Sequence, residues 1–234
     1  MLKLARFRKP LAVALAAMLC TACSSSSPVL QETRELEAGI AEGGRFEIDA
    51  GAGSLTLRGD ANSNVIQVQA EIYQVNAGDN YTLTLELKDD NQARLVADAA
   101  SSFGGGSDRI DLSITVPERL EVTIFDGSGS LRVDTLRGNL DIEDGSGSIR
   151  VSGIQGNVVI EDGSGSIVVN DVSGNVTVDD GSGSISVMNT GGKVAVSDGS
   201  GSIDIDGANE FELVDDGSGS VSTRNIRSRG TGER

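Results

Sequence analysis

Between residues 126 and 223 apolar and polar side chains alternate in a pattern that restarts every 18 residues. With Asp126 as the first position of a unit, apolar residues fall at the sixth, eighth, eleventh, fifteenth and seventeenth places. The first unit has Leu131, Val133, Leu136, Leu140 and Ile142; the second Ile149, Val151, Ile154, Val158 and Ile160; the third Ile167, Val169, Val172, Val176 and Val178. A period of two predicts short strands with one side chain in and the next out. Two such strands per unit follow, nine residues apart, with Val169 and Val178 inward and Val168 and Thr177 outward.

Each unit opens with Asp-Gly-Ser-Gly-Ser, at Asp126, Asp144, Asp162, Asp180, Asp198 and Asp216. A length held without insertion through five intervals marks stacked coils, each residue at the same place in every coil. The predicted fold class is therefore all-β, a parallel β-solenoid (β-helix) with 18-residue coils and two short strands per coil. The few aliphatic side chains of one coil cannot offset the entropy of ordering 18 residues, so the coils fold only as a stack that shares its core. Six regular coils about 4.8 Å apart span roughly 25–30 Å. Asn139, Asn157 and Asn175 predict an internal ladder at a second turn. In the fifth coil the pattern slips to Phe211 and Leu213 beside Val214, which predicts a bulge. The sixth coil loses its second strand, and Arg224, Arg227, Arg229 and Arg234 make residues 224–234 a basic, edge-blunting cap.

Upstream the spacing is looser. Runs at 46–49, 54–58, 65–74, 81–87, 93–97, 110–116 and 120–125 read as strands separated by Gly, Asn and Asp. Ala52-Gly-Ser-Leu-Thr-Leu57 aligns with Ser128-Gly-Ser-Leu-Arg-Val133, so residues 44–125 read as a less regular N-terminal part of the same solenoid. Residues 103–107 read as a loop rather than a phosphate cradle, because no helix-forming segment or Lys-Ser pair follows them.

The first residues are an address. Lys3, Arg6, Arg8 and Lys9 precede the nine-residue apolar run 11–19, too short for a membrane-spanning helix and suited to a signal-peptide core, so residues 1–22 are expected to direct export. Leu19-Cys20-Thr21-Ala22-Cys23 and the following serines resemble the lipobox of bacterial lipoproteins, which implies lipid attachment at Cys23. The usual Leu three places before the Cys is here Cys20, with Leu19 one earlier. Residues 23–43 read as a lipid-anchor tether. The expected location is the cell envelope, the outer membrane before the inner, with cleavage after Ala22 to a soluble periplasmic protein as the alternative.

Charge and composition narrow the chemistry. Residues 1–22 hold four bases and no acid, so the remainder carries 15 basic and 35 acidic residues, a net charge of −20, which disfavours nucleic acid. Aromatic residues make up 3% and Trp is absent, leaving few stacking platforms for bases or sugar rings. Both cysteines lie in the processing region and His is absent, so disulfides, Cys nucleophiles and His-based triads or metal sites are unavailable downstream. No catalytic residue and no cofactor is expected. The in-register acids are the one candidate for metal: Asp126, Asp144, Asp162, Asp180, Asp198 and Asp216, with Glu143, Glu161, Asp179 and Asp215 beside four of them. They resemble calcium-binding nonapeptide rolls, whose ligand Asp lies at the place occupied here by Leu131, Ile149, Ile167, Ile185, Ile203 and Val221. Turn formation by each Asp with the backbone N–H groups that follow is the preferred reading, and calcium the alternative.

The stretch Ile114-Thr-Val-Pro-Glu-Arg-Leu-Glu-Val-Thr-Ile124, running into Asp126-Gly-Ser-Gly-Ser-Leu-Arg-Val133 and its repeats, resembles the bacterial family of β-strand-repeat putative adhesins, domains of unknown function of the head-GIN-like type. The resemblance covers roughly residues 45–223 and implies a repeat-built envelope protein without binding residues to carry over. The expected function is a non-catalytic binding or interaction module, membrane-attached through its N-terminal lipid and taking a protein or glycan ligand at outward positions such as Arg132, Arg150, Val168, Ser186 and Asp204. The alternatives are a calcium-dependent structural spacer of the envelope and a periplasmic envelope-signalling partner.

Overall fold

The computed structural model describes residues 27–78, 80–89, 91–99 and 108–229, which form strands and turns without a helix. Residues 1–22, expected as a signal segment, Cys23, residues 103–107, Arg234 and the side chain of Arg229 lie outside the described residues. In chain order the strands are β1 (Val29–Gly39), β2 (Arg45–Asp60), β3 (Val65–Gln74), β4 (Tyr81–Asp89), β5 (Gln92–Ala99), β6 (Arg109–Pro117), β7 (Glu121–Leu136), β8 (Leu140–Asp144), β9 (Gly147–Ile154), β10 (Val158–Asp162), β11 (Gly165–Val172), β12 (Val176–Asp180), β13 (Gly183–Asp198), β14 (Gly201–Asp216) and β15 (Gly219–Arg229).

These strands build two ladders around one core. The first runs β1, β3, β6, the second half of β2, the second half of β7, β9, β11, the first halves of β13 and β14, then β15. The second runs β4, β5, the first halves of β2 and β7, β8, β10, β12, then the second halves of β13 and β14. Across β9, β11 and the first halves of β13 and β14 each residue pairs with the one 18 places on, as in Ile149, Ile167, Ile185 and Ile203. The chain is a parallel β-solenoid of about six regular turns.

The predicted alternation holds through the stack. Val169 and Val178 are buried, Val168 is half-buried and Thr177 is exposed. The bulge in the fifth coil is present: the β13–β14 register shifts between Val196 and Ser197, leaving Val214 unpaired and 63% exposed. At the fourth position the coils approach so closely that no side chain fits; Gly165 has φ 152°, and an added Cβ would lie 1.8 Å from the Gly147 carbonyl oxygen. A second corner requires positive φ at the tenth position, held by Thr135 (64°), Gly153 (71°), Asp171 (57°), Asn189 (57°), Gly207 (77°) and Asn225 (55°). Gly, Asn and Asp tolerate that conformation, while the β-branched Thr135 is held in it by the stack.

Three expectations are corrected, those for the Asn ladder, the tether and the C-terminal cap. The Asn ladder exists, with the Asn157, Asn175 and Lys193 N–H groups each donating to the Asn side-chain oxygen one coil below at 2.9 Å, but it runs along the exposed rim rather than inside. The proposed tether 23–43 contains β1, which pairs antiparallel with β3 from Glu32 to Gly39 and buries Ala38. The N-terminal part is a solenoid start with an antiparallel cap. The β2 coil stacks directly on β7 in the register Ala52 to Ser128 and Leu55 to Leu131, and β5 with β6 stacks on its other side. Antiparallel β3 and β4 then flank β6 and β5. At the far end, the stretch expected as a cap from residue 224 continues β15 in strand to Arg229.

Candidate binding surface

The corner that opens each coil places its Asp at the end of an inward-facing alternation. Positions fifteen, seventeen and one all point in, so Asp126, Asp144, Asp162, Asp180 and Asp198 are between 1% and 7% exposed. Their Oδ1 atoms turn the chain. The Ser146 and Ser164 N–H groups donate to Asp144 and Asp162 at 3.2 Å, and those of Ser182 and Ser200 to Asp180 and Asp198 at 3.0 Å. Gly127 and Ser128 serve Asp126 in the same way. Asp216, in the terminal coil, departs: it is half-buried, and its N–H donates to Asp215 Oδ1 at 2.9 Å.

The second oxygen of each buried Asp has no such service. Oδ2 of Asp126, Asp144, Asp162, Asp180 and Asp198 is buried without a hydrogen-bond partner. A carboxylate deprived of water favours its neutral form. Burial, reinforced by the charge of Asp144, pushes the Asp126 carboxyl up to about 7. Burial pushes Asp180 up to about 6, with Asp162, Asp198 and Asp179 adding repulsion against the opposing Ser182 N–H. Asp144 and Asp162 are also raised, first by burial.

The acids just before these residues face the other way. Glu143, Glu161 and Asp179 are exposed and stand in register on β8, β10 and β12. With Phe125 at one end they line a shallow concavity of about 490 Å³, with Asp126, Asp144 and Asp162 beneath. The acidic ladder of the sequence is thus two rows, one buried and one exposed. The signal that separates them is the period of two itself, carried one step past the seventeenth position.

Several acids on other strands have cations. Glu47 and Asp49 meet Arg94, Glu121 meets Arg45, Glu210 and Glu212 meet Lys193, and Asp204 and Asp206 meet Arg224. Among the described residues Asp141, Glu143, Glu161 and Asp179 form no ion pair. Neighbours about 4.8 Å apart repel by on the order of 1 kcal/mol in water before salt screening, so a bound cationic group would relieve the row. Among the described residues no three or more Asp, Glu, His or Cys side chains converge where they could hold a metal ion. Of the outward positions singled out in the sequence, Arg132 and Arg150 are exposed while Val168, Ser186 and Asp204 are half-buried, all in one column of the first ladder.

No family model and no curated protein matches the chain. Solved structures do. A “putative cell adhesion protein” from Clostridium sporogenes is 16% identical with a TM-score of 0.45, over 85% of this chain and 100% of that one. A “putative adhesin” from Bacteroides fragilis is 13% identical with a TM-score of 0.36, over 86% and 98%. A “putative lipid binding protein” from Parabacteroides distasonis is 14% identical with a TM-score of 0.36, over 88% and 98%.

Proposed function

We propose that the chain is an exported, non-catalytic binding module of the cell envelope, lipid-anchored at Cys23 and presenting its ladder faces to a partner in the manner of an adhesin. The anchor rests on the lipobox-like stretch ending at Cys23. It predicts that Cys23→Ser moves the chain from the membrane fraction to the soluble one; an unmodified Cys23 at the N-terminus of the natural protein would end that part of the reading.

The binding face rests on one observation, the row of Glu143, Glu161 and Asp179 held in register without cations beside Phe125. Such a row selects a basic protein segment over an anionic glycan. A lysine-rich decapeptide is expected to bind the full chain in a salt-sensitive manner, and Glu143→Gln, Glu161→Gln and Asp179→Asn together should weaken it about tenfold, or 1.4 kcal/mol. Glu86→Gln, Asp89→Asn and Asp98→Asn, at exposed sites on β4 and β5, remove the same charge elsewhere and should cost little. Equal losses from the two triple variants would mean that net charge, not a site, holds the peptide, and preferential binding of a neutral oligosaccharide would move the reading to glycan.

A second reading, the calcium-dependent spacer, is favoured by the unpartnered Oδ2 atoms of the buried row. A cation threaded along them would supply the missing partner.

A further inference from the structure

The two ends of the first ladder are unfinished in complementary ways. Among the described residues β1 at one end pairs only with β3, and β15 at the other pairs only with β14. The outer edge of each therefore presents unpaired backbone N–H and C=O groups, a template for another strand. The two edges also run in the same direction. β1 is antiparallel to β3 and β3 to β6, which cancel, and every later step to β15 is parallel. A copy translated along the solenoid axis would thus bring its β1 beside β15 as one more parallel strand.

Side chains at the two ends agree with that match. Among the described residues the exposed large hydrophobics are Val29, Leu30, Met188, Val214 and Val221, and all but Met188 lie on β1 or in the last two coils. Val221 occupies the inward sixth position that is fully covered at Ile149, Ile167, Ile185 and Ile203; it is 38% exposed because no coil lies over it. Charge is complementary strand to strand. On β1, Arg34 is engaged by Glu32, leaving Glu35 and Glu37 exposed without a cation among the described residues. β15 has no acid, and it carries Arg224 and Arg227, the latter exposed and held only by the neutral Asn209 side chain at 3.0 Å. The second ladder is less suited to continuation, since the Val214 bulge lies on its terminal segment and a register shift lies on β4 between Leu87 and Asp89, whereas the shift on β1, between Leu30 and Glu32, leaves Glu32 to Gly39 regular.

We infer that a second copy of this chain docks head to tail, β15 of one copy pairing with β1 of the next to continue the first ladder. The contact joins two different surfaces, so it leaves a free end of each kind and propagates into a filament rather than closing as a dimer. Cys23 is six residues before Val29, a reach of about 20 Å at full extension, so copies anchored in one membrane would join with the solenoid axis along the membrane plane. The inference is independent of the acidic face on the second ladder.

Sedimentation velocity of the full chain in a non-ionic detergent tests it. The sedimentation coefficient should keep rising with protein concentration. Ser222→Glu with Arg227→Glu, both at exposed sites on β15, should weaken association about tenfold, and Glu35→Lys with Glu37→Lys on β1 should do the same. All four together should restore it, because the charges again oppose across the junction. Circular-dichroism melts of the three variants show whether each remains folded. A chain that stays monomeric at every concentration, a coefficient that levels off at a dimer, or a folded four-site variant that fails to regain association would overturn the inference.

Discussion

Val169→Asp is expected to lower the melting temperature by about 10–20 °C, whereas Val168→Asp should melt within a few degrees of the natural chain. The two positions are adjacent in β11 and differ only in which way they point. Val169 is 0% exposed, between Val151 and Val187 of the neighbouring coils, which are equally buried. A carboxylate placed there has neither water nor a cation, and a cost of on the order of 4–5 kcal/mol follows from burying an unpaired charge. For a chain of this length each kcal/mol moves the transition by about 2–4 °C. At Val168 the new carboxylate would stand beside Arg150 on one side and Ser186 on the other. Thermal denaturation followed by circular dichroism separates the two outcomes, and equal melting of the variants would mean that the strand register is wrong.

That contrast could be drawn from the sequence because the repeat carries its own register. When one residue recurs at one place in every coil, the pairing partners of Ile149, Ile167 and Ile185 are set by counting, and the slip around Val214 stands out against the pattern. The same logic found the stacking of Ala52 to Leu57 on Ser128 to Val133. What counting cannot reach is pairing between unlike segments. β1 buries little besides Ala38, with Leu36 half-covered, so its sequence lacks the alternation that would mark it as a strand and its acids resemble a solvated tether. Its partner β3 lies beyond the whole of β2 and has no repeat in common with it. The coil order is also non-local, since β2 sits between the later β5–β6 coil and β7. At the tenth position Gly, Asp and Asn are residues that accept positive φ, but Thr135 at the head of the column hides the signal. The acids were legible as a ladder, and as turn formers. That the exposed row alone is available to a partner follows only once the Asp of each coil is placed inside.

Acidification is expected to stabilise this acidic protein, because Asp126, Asp144, Asp162 and Asp180 in its buried row hold protons that the unfolded chain would release. Asp126 is pushed up to about 7 and Asp180 up to about 6, and Asp144 and Asp162 are raised as well, all chiefly by burial. An unfolded Asp ionises near 4, so from about pH 4 to 7 the folded state binds more protons than the unfolded state, and stability falls as pH rises through that window. Glu32 and Asp206 act oppositely. Each is held below the ordinary carboxylate range, Glu32 first by Arg34 and Asp206 first by Asn225, so their contribution is present above that range and lost below about pH 4. The melting temperature should therefore peak near pH 4–4.5 and lie about 5–10 °C lower at pH 8, a few kcal/mol for these groups together. General relief of negative charge would give a slope of the same sign, and Asp126→Asn with Asp180→Asn separates the two causes. Each Asn keeps an Oδ1 for the corner N–H groups and cannot ionise, so the double variant should gain stability at pH 8 and lose most of the slope. An unchanged slope would assign the effect to net charge. Calcium distinguishes the remaining alternative at neutral pH, where the row is most in need of a partner. If the row is turn architecture, chelator-treated and millimolar-calcium samples should melt within a few degrees of each other. A site filled a hundredfold above its Kd would add about 2.7 kcal/mol, which such a melt resolves. A calcium-dependent rise abolished by Asp162→Asn with Asp180→Asn would make the row a cation ladder and the protein a calcium-dependent spacer.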